Sequence, residues 1–200
     1  EKNLEQLEAI AGLKQSQLDA WRSERLVDAW AFYENTMISN AVIDFIRSPS
    51  APGPRARVEP VLEAVTRRAQ YTSVTVVGDA AQALLSYPPS ETALGPSALR
   101  AAVLLARRKT PALSDPLVEP GGRIVALAVA PVLDPGTGAN IGAVVLAMDP
   151  HASLYPMVAE WPVPSATAEA LLVCGEEGRA HFITPLRFRE NTALFSLEAS

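Results

Sequence analysis

The first part of the chain carries apolar side chains at helical spacing. They recur three or four positions apart, at Leu4, Leu7, Ile10, Leu13, Leu18, Trp21, Leu26, Trp30, Tyr33 and Met37. All 17 prolines lie at Pro49 or later, so none interrupts a helix in this segment. We therefore predict a long spine helix over residues 1–47, with Gly12 and the pair Ser39 and Asn40 as its weak points. If continuous, it would be about 65–70 Å long, which is more than a small domain is wide.

After a proline-rich segment at 48–54, the pattern changes to shorter elements. It predicts a helix over 58–70, strands over 72–77 and 82–87, a helix over 97–109, and strands over 113–118, 124–133 and 141–148. Pro111 and Pro116 assign 113–118 to a sheet edge. This order is typical of an α+β fold with a PAS-like five-stranded antiparallel sheet and flanking helices, which we assign to residues 55–160.

The joint Trp161-Pro162-Val163-Pro164 separates this region from a further set of short strands. Strands are predicted over 170–174, 180–184 and 192–197. They give only the opening part of an α+β unit. We therefore expect residues 165–200 to be the beginning of a second, smaller PAS-like module that is incomplete within this sequence.

Composition and charge exclude several function classes. Apolar residues make up 48% of the chain, which allows a packed core, and the net charge of −5 argues against a nucleic-acid partner. A single cysteine and two histidines leave no internal disulfide and no basis for a metal site. The longest uncharged apolar run, Ile124 to Leu133, is too short to cross a bilayer. The chain begins without methionine or a signal peptide, so we expect a piece of a longer protein.

No catalytic motif is present, and binding is the better hypothesis. The sequence contains no G-x-S-x-G, no H-E-x-x-H and no P-loop, so we expect neither an enzyme nor a cofactor in this part of the protein. Strand alternation sets Ser73, Thr75 and Val77 on one face of the sheet. Alternating alanines in 124–133 and 141–148 predict one face rich in small residues. Such a face favours either the close approach of a helix or space for a ligand.

Several stretches resemble a known family. They are 7–14 and 21–25 in the opening helix, 145–157 and 161–173 around the predicted joint, and 182–187 and 191–195 near the end. These segments resemble the extracytoplasmic double-Cache sensor domains of bacterial membrane receptors, which are sensor histidine kinases and diguanylate cyclases. The block from Trp161 to Val173 is the most specific part of the likeness. The resemblance implies a long helix beside a membrane-distal module at 55–160 and a membrane-proximal module from about residue 165.

The resemblance also implies a ligand on one sheet face, beneath a helix and loops. By position, the residues that would reach it are Tyr71, Ser73, Thr75, Tyr87, Arg108, Ser114, Asp115 and Asp149. Asp149 falls where the amino-acid-binding subset of the family places its amine-binding aspartate, although capping the helix that starts at Pro150 also explains it. The helix at 59–70 lacks the tryptophan of that subset.

The resemblance therefore implies an extracytoplasmic, periplasmic sensing domain of a bacterial inner-membrane receptor. It would bind a small molecule or an envelope cue and transmit it through the long helix to a cytoplasmic kinase or cyclase. The expected partners are a small-molecule ligand and a second copy of the chain packed along the long helix, with a membrane tether in the full-length protein. The alternative is a ligand-free dimerisation or partner-docking module, and a hydrolase is a third possibility.

Overall fold

The computed structural model describes residues 2–68, 71–89, 94–162, 168–176, 179–185 and 196–198. Its helices are α1 (Lys2–Glu34), α2 (Thr36–Arg47), α3 (Pro52–Arg68), α4 (Pro96–Ala106) and α5 (Leu154–Ala159), with a 3₁₀ turn at Pro150–Ala152. The strands are β1 (Ser73–Gly78), β2 (Ala83–Tyr87), β3 (Ala112–Leu113), β4 (Leu117–Val118), β5 (Ile124–Leu133), β6 (Asn140–Met148), β7 (Val173–Glu176), β8 (Arg179–Phe182) and β9 (Ser196–Glu198).

The predicted opening helix is divided at Asn35. The Asn35 side chain accepts hydrogen bonds from the backbone N–H groups of Met37 and Ile38 at 3.1 and 3.2 Å, so it caps α2 and ends α1. The break therefore lies at neither Gly12 nor the Ser39 and Asn40 pair. The cause is local, because asparagine offers the backbone an alternative partner to the continuing helix.

Two compact groups of residues make up the chain. One, which we call unit 1, comprises residues 1–23 with 150–200, and the other, unit 2, comprises residues 24–149. Within unit 1, Lys14 Nζ donates to the Met157 carbonyl at 2.6 Å and Trp21 Nε1 donates to Ser153 Oγ at 3.2 Å. The described strands of this unit pair as an antiparallel sheet in the order β7-β8-β9. The division into a distal and a proximal module stays a prediction.

The main sheet of unit 2 is antiparallel, with the order β2-β1-β6-β5-β3, and β4 also pairs with β5. The predicted edge strand at 113–118 is thus divided into two short pieces on the same neighbour, on either side of Pro116. Proline has no N–H to give to a ladder, which explains the interruption. The long helix and antiparallel sheet confirm the predicted α+β class.

Both faces of this sheet are buried. On one face α4 contributes Ala98, Ala102 and Ala106 to a core that also contains Leu127 and Val145. We call this the α4 face. Helices α2 and α3 contribute Phe45 and Leu62 to the core, both fully buried, and both helices contact the sheet.

The register corrects the prediction of one face rich in small residues. Ala126 pairs with Met148, Ala128 with Leu146, and Ala130 with Val144. Directly paired residues share a sheet face, so each small side chain of β5 lies beside a larger one of β6. The alanines that do pack against the sheet on the α4 face are those of the helix itself, Ala98, Ala102 and Ala106.

Candidate functional site

Two hydroxyl side chains of β1 lie on the α4 face. Ser73 and Thr75 are 5% and 0% exposed. Thr75 pairs with Ser86 of β2 across the ladder, and their side-chain oxygens are 2.9 Å apart, so the buried threonine hydroxyl has a partner. The register pairs Ser73 with Ala147 and Thr75 with Val145, which places both hydroxyls in the layer that α4 covers. A ligand could reach them only if α4 or the adjoining loops moved.

Tyr71, just before β1, contacts helix α1. Its hydroxyl donates to Asp28 Oδ2 at 2.6 Å, and the Arg25 guanidinium carbon is 5.7 Å from the centre of its ring. Burial, followed by the hydrogen bond to the Asp28 carboxylate, raises the pKa of Tyr71 above its ordinary value. The phenol therefore remains protonated and remains a donor throughout the neutral range.

Tyr87 lies on the opposite side of the sheet from the β1 hydroxyls. It pairs with Val74, the β1 residue between Ser73 and Thr75, and its hydroxyl donates to Glu63 Oε1 of α3 at 3.0 Å. Because neighbouring residues of a strand point to opposite faces, Tyr87 and the hydroxyls of Ser73 and Thr75 do not share one surface.

The remaining predicted residues lie in other surroundings. Ser114 exchanges hydrogen bonds with Leu127, whose N–H donates to Ser114 Oγ at 2.8 Å. Arg108 and Asp115 are exposed, and Asp149 is half-buried directly after β6. The structure therefore brings Ser73 and Thr75 together but does not gather all eight residues around one space. A ligand-binding role for these residues stays a prediction.

A buried carboxylate that the sequence did not indicate lies at the start of α4. Glu119 is 3% exposed, and its Oε1 accepts the Ala98 N–H at 2.7 Å. It thus replaces the N-cap side chain that Gly95 lacks. Its other oxygen is buried without a hydrogen-bond partner among the described residues. No sequence signal pointed to Glu119, because a glutamate before Pro120 and two glycines is typical of an exposed turn.

Two open concavities lie elsewhere in the described residues. In unit 1 a cleft of about 410 Å³ is mainly apolar, with Ile10, Leu18 and Trp161 among its lining residues. In unit 2 a groove of about 470 Å³ lies between α2 and α3 and is lined by Met37, Ile38, Asn40, Ala41, Asp44, Arg57 and Val61. Neither concavity contains a predicted site residue, so neither supports the predicted ligand set.

Within the part of the chain that the structure describes, no cluster of three or more histidine, cysteine or acidic side chains could hold a metal ion. Over the same residues, no helix combines the length and the apolar character that crossing a bilayer requires.

Comparisons with known proteins place the fold. No protein-family model and no curated protein matches the sequence. Among solved structures, the ligand-binding domain of the Pseudomonas aeruginosa PAO1 amino acid chemoreceptor PctB, in complex with L-Arg, is 14% identical with a TM-score of 0.63. The match covers 98% of this chain and 70% of that chain.

Two further structures extend the likeness. The ligand-binding domain of the Pseudomonas fluorescens chemoreceptor CtaA, in complex with L-isoleucine, is 14% identical with a TM-score of 0.53, covering 96% of this chain and 76% of that chain. The V. cholerae histidine kinase DctB sensor domain is 12% identical with a TM-score of 0.50, covering 96% and 91%. The chain therefore has the fold of ligand-binding sensor domains from chemoreceptors and a histidine kinase, which confirms the sensor-domain resemblance at the level of fold.

Proposed function

We propose that this chain is an extracytoplasmic sensor domain of a bacterial membrane receptor. It binds a small molecule on the α4 face and passes the change through α1 to a cytoplasmic kinase or cyclase. The observation that carries this proposal is the likeness to ligand-binding domains over nearly the whole chain, with a TM-score of 0.63 for the amino acid chemoreceptor PctB. The hydroxyls of Ser73 and Thr75 supply the polar groups that would orient a ligand in an otherwise apolar layer.

The burial of these hydroxyls determines how sensing would operate. Thr75 is fully enclosed beneath α4, so the ligand must select a state in which α4 or its loops have moved. A ligand that binds this open state more tightly than the closed one shifts the population between them. The strength of the response then depends on how much more tightly the ligand binds the open state than the closed state. The closed state, in which α4 covers Thr75, is the unliganded one.

A thermal-shift screen tests this function. L-isoleucine, L-arginine and a library of small organic acids and amines are added to the purified chain. A true ligand at a hundred times its dissociation constant should stabilise the fold by about 2.7 kcal/mol. The variant Thr75→Val keeps the shape but removes the hydroxyl, and should lose most of the ligand-induced shift.

The control for that screen is Thr66→Val. Thr66 lies in α3, and its hydroxyl donates to the Leu62 carbonyl of the same helix at 2.8 Å and more weakly to the Tyr87 carbonyl at 3.5 Å. This variant should keep the full ligand response. If no compound raises the melting temperature, or if Thr75→Val responds like the unaltered chain, sensing on the α4 face is wrong.

The proposal includes the predicted homodimer along the opening helix. Val27 and Trp30 of α1 are 65% and 36% exposed, and Met37 of α2 is 81% exposed. Large apolar side chains left in water favour a partner surface. We expect concentration-dependent dimerisation in analytical ultracentrifugation, abolished by Val27→Asp and retained by Leu104→Asp, a change at an equally exposed leucine of α4. A chain that stays monomeric at high concentration would contradict this part.

A second function is favoured by one specific observation. The ligand-free docking module predicts a closed interior, and Thr75 is fully buried with its hydroxyl paired to Ser86. Such a module would show no response to any compound in the screen while still forming a dimer. The same two measurements therefore separate it from the sensor.

A further inference from the structure

Two side chains from one turn of α1 contact Tyr71, which lies just before β1. Arg25 and Asp28 are three residues apart, so their side chains leave the helix on the same side. Asp28 accepts the Tyr71 hydroxyl at 2.6 Å, and the Arg25 guanidinium lies over the ring at 5.7 Å from its centre. We call these three residues the α1–β1 cluster.

The cluster is well enclosed. Tyr71 is 5% exposed and the Arg25 side chain is 12% exposed. A hydrogen bond to a charged carboxylate in such surroundings is stronger than one between neutral groups. The Arg25 guanidinium also lies 3.6 Å from the largely exposed Glu24 carboxylate, and its Nε is buried without a hydrogen-bond partner among the described residues.

The other side of Tyr71 is fixed to the sheet. The next residue, Thr72, donates from both its backbone N–H and its hydroxyl to the Ala147 carbonyl of β6, at 2.8 and 3.1 Å. Ser73 follows and pairs with Ala147 in the ladder. Tyr71 is therefore attached to β1 and β6 on one side and to a single turn of α1 on the other.

We propose that the α1–β1 cluster is the coupling contact through which a displacement of strand β1 repositions helix α1. This inference rests on the proposed function only in that it names the residues by which a signal would leave the sheet. Tyr71 is then a positioning residue rather than a ligand contact. Its hydroxyl is hydrogen-bonded to Asp28. Because Tyr71 lies two residues before Ser73, it moves whenever the first residues of β1 move.

Hydrogen–deuterium exchange on Tyr71→Phe tests the coupling without any ligand. Removing the hydroxyl should raise amide exchange in residues 25–32 of α1 by about tenfold or more, because a charge-assisted bond that opposes local opening is lost. Asp28→Asn retains an oxygen acceptor for the phenol and should give a smaller increase in the same segment.

Tyr87→Phe is the matched control. It removes the same kind of tyrosine-to-carboxylate bond, at 3.0 Å, but between β2 and Glu63 of α3. It should raise exchange in α3 and leave residues 25–32 of α1 unchanged. The proposal is overturned if both phenylalanine variants affect α1 equally, or if Tyr71→Phe raises exchange uniformly over the whole of unit 2, since that would show only a loss of global stability.

A compound from the thermal-shift screen adds a second arm. Calorimetry should show that it binds Tyr71→Phe with an affinity within about threefold of the unaltered chain, while the exchange change it causes in α1 disappears. If Tyr71→Phe instead abolishes binding, Tyr71 is a ligand residue and the coupling role is wrong. If no compound binds at all, the sensor function fails, and the ligand-free exchange comparison still decides whether the cluster couples β1 to α1.

Discussion

At the scale of single residues, Gly95 and Glu119 depend on each other. A Cβ added at Gly95 would overlap the Glu119 carboxylate, although the backbone of Gly95, with φ −75°, would accept any residue. A side chain at this position would have to displace the Glu119 carboxylate, so glycine is favoured there by the close approach of a side chain and not by its own conformation. The capping carboxylate of Glu119 occupies the space that a side chain at this N-cap would fill.

A double-mutant cycle tests this dependence. Gly95→Ala should cost about 1–3 kcal/mol of unfolding free energy through overpacking, and Glu119→Ala about 1 kcal/mol through loss of the cap. In the Glu119→Ala background, Gly95→Ala should cost distinctly less, because the overlapping group has gone and only the poorer N-cap preference of alanine remains. Urea unfolding of the four proteins measures the coupling. Additive costs would show that the carboxylate does not lie against Gly95.

The positions of some of these residues can be predicted from the sequence, and those of others cannot, for physical reasons. The period of two along a strand was enough to place Ser73 and Thr75 on one face, which the register confirms. Tyr87 faces the other side because the β1–β2 pairing decides this, and a single sequence does not show it. Glu119 was missed because its partner, the Ala98 N–H, is 21 residues away and meets it only after folding.

At the scale of elements, the apolar strands were the most predictable part of the fold. The strand 124–133 has the predicted bounds, and β6 begins one residue earlier than the predicted 141–148. A long apolar run between turns that contain glycine and proline has few alternatives to a buried strand. The opening helix was overextended because its apolar spacing continues past Asn35. The signal for the break was the N-cap preference of asparagine, which spacing alone does not contain.

The hairpin between β5 and β6 carries an acid-sensitive contact with α2. Asp134 Oδ2 accepts a hydrogen bond from the Arg47 guanidinium. Asp134 Oδ1 accepts hydrogen bonds from the backbone N–H groups of Gly136 and Thr137 at 2.9 and 3.0 Å. These contacts, with the Arg47 hydrogen bond as the largest, lower the pKa of Asp134 from its ordinary value. The Asp134 side chain therefore ionises more easily in the folded state than in the unfolded state.

This shift predicts a definite pH dependence. Because the folded-state pKa is the lower one, the unfolded chain takes up the proton first, and the stabilisation is fully present above the unfolded pKa of about 3.9. It should be lost as pH falls below that value towards the folded pKa. The difference in unfolding free energy between the unaltered chain and Asp134→Asn should therefore shrink on acidification. Arg47→Met should weaken the same dependence, and a difference that is constant from pH 7 to pH 3 would contradict the assignment.

At the scale of the whole molecule, the core formed by the described residues is concentrated in unit 2. The largest fully buried side chains among the described residues all lie between Val42 and Met148. The end of α1 belongs to the same unit and adds Ala29 and Phe32, which are 0% and 5% exposed. Buried apolar area is the main source of folding free energy, so residues 24–149 contain what an independent fold needs.

We therefore expect residues 24–149, expressed alone, to unfold in one cooperative thermal transition and to give dispersed amide resonances. A shorter chain of residues 36–149 removes Phe32 with the rest of that helical segment and should lose about 3 kcal/mol or more, because the apolar surface that Phe32 covers is left open. The comparison separates a self-sufficient unit from one that needs residues outside it. If 24–149 shows no cooperative transition, the stability of the sheet depends on residues 1–23 or 150–200. Sensing would then have to be assigned to the entire chain.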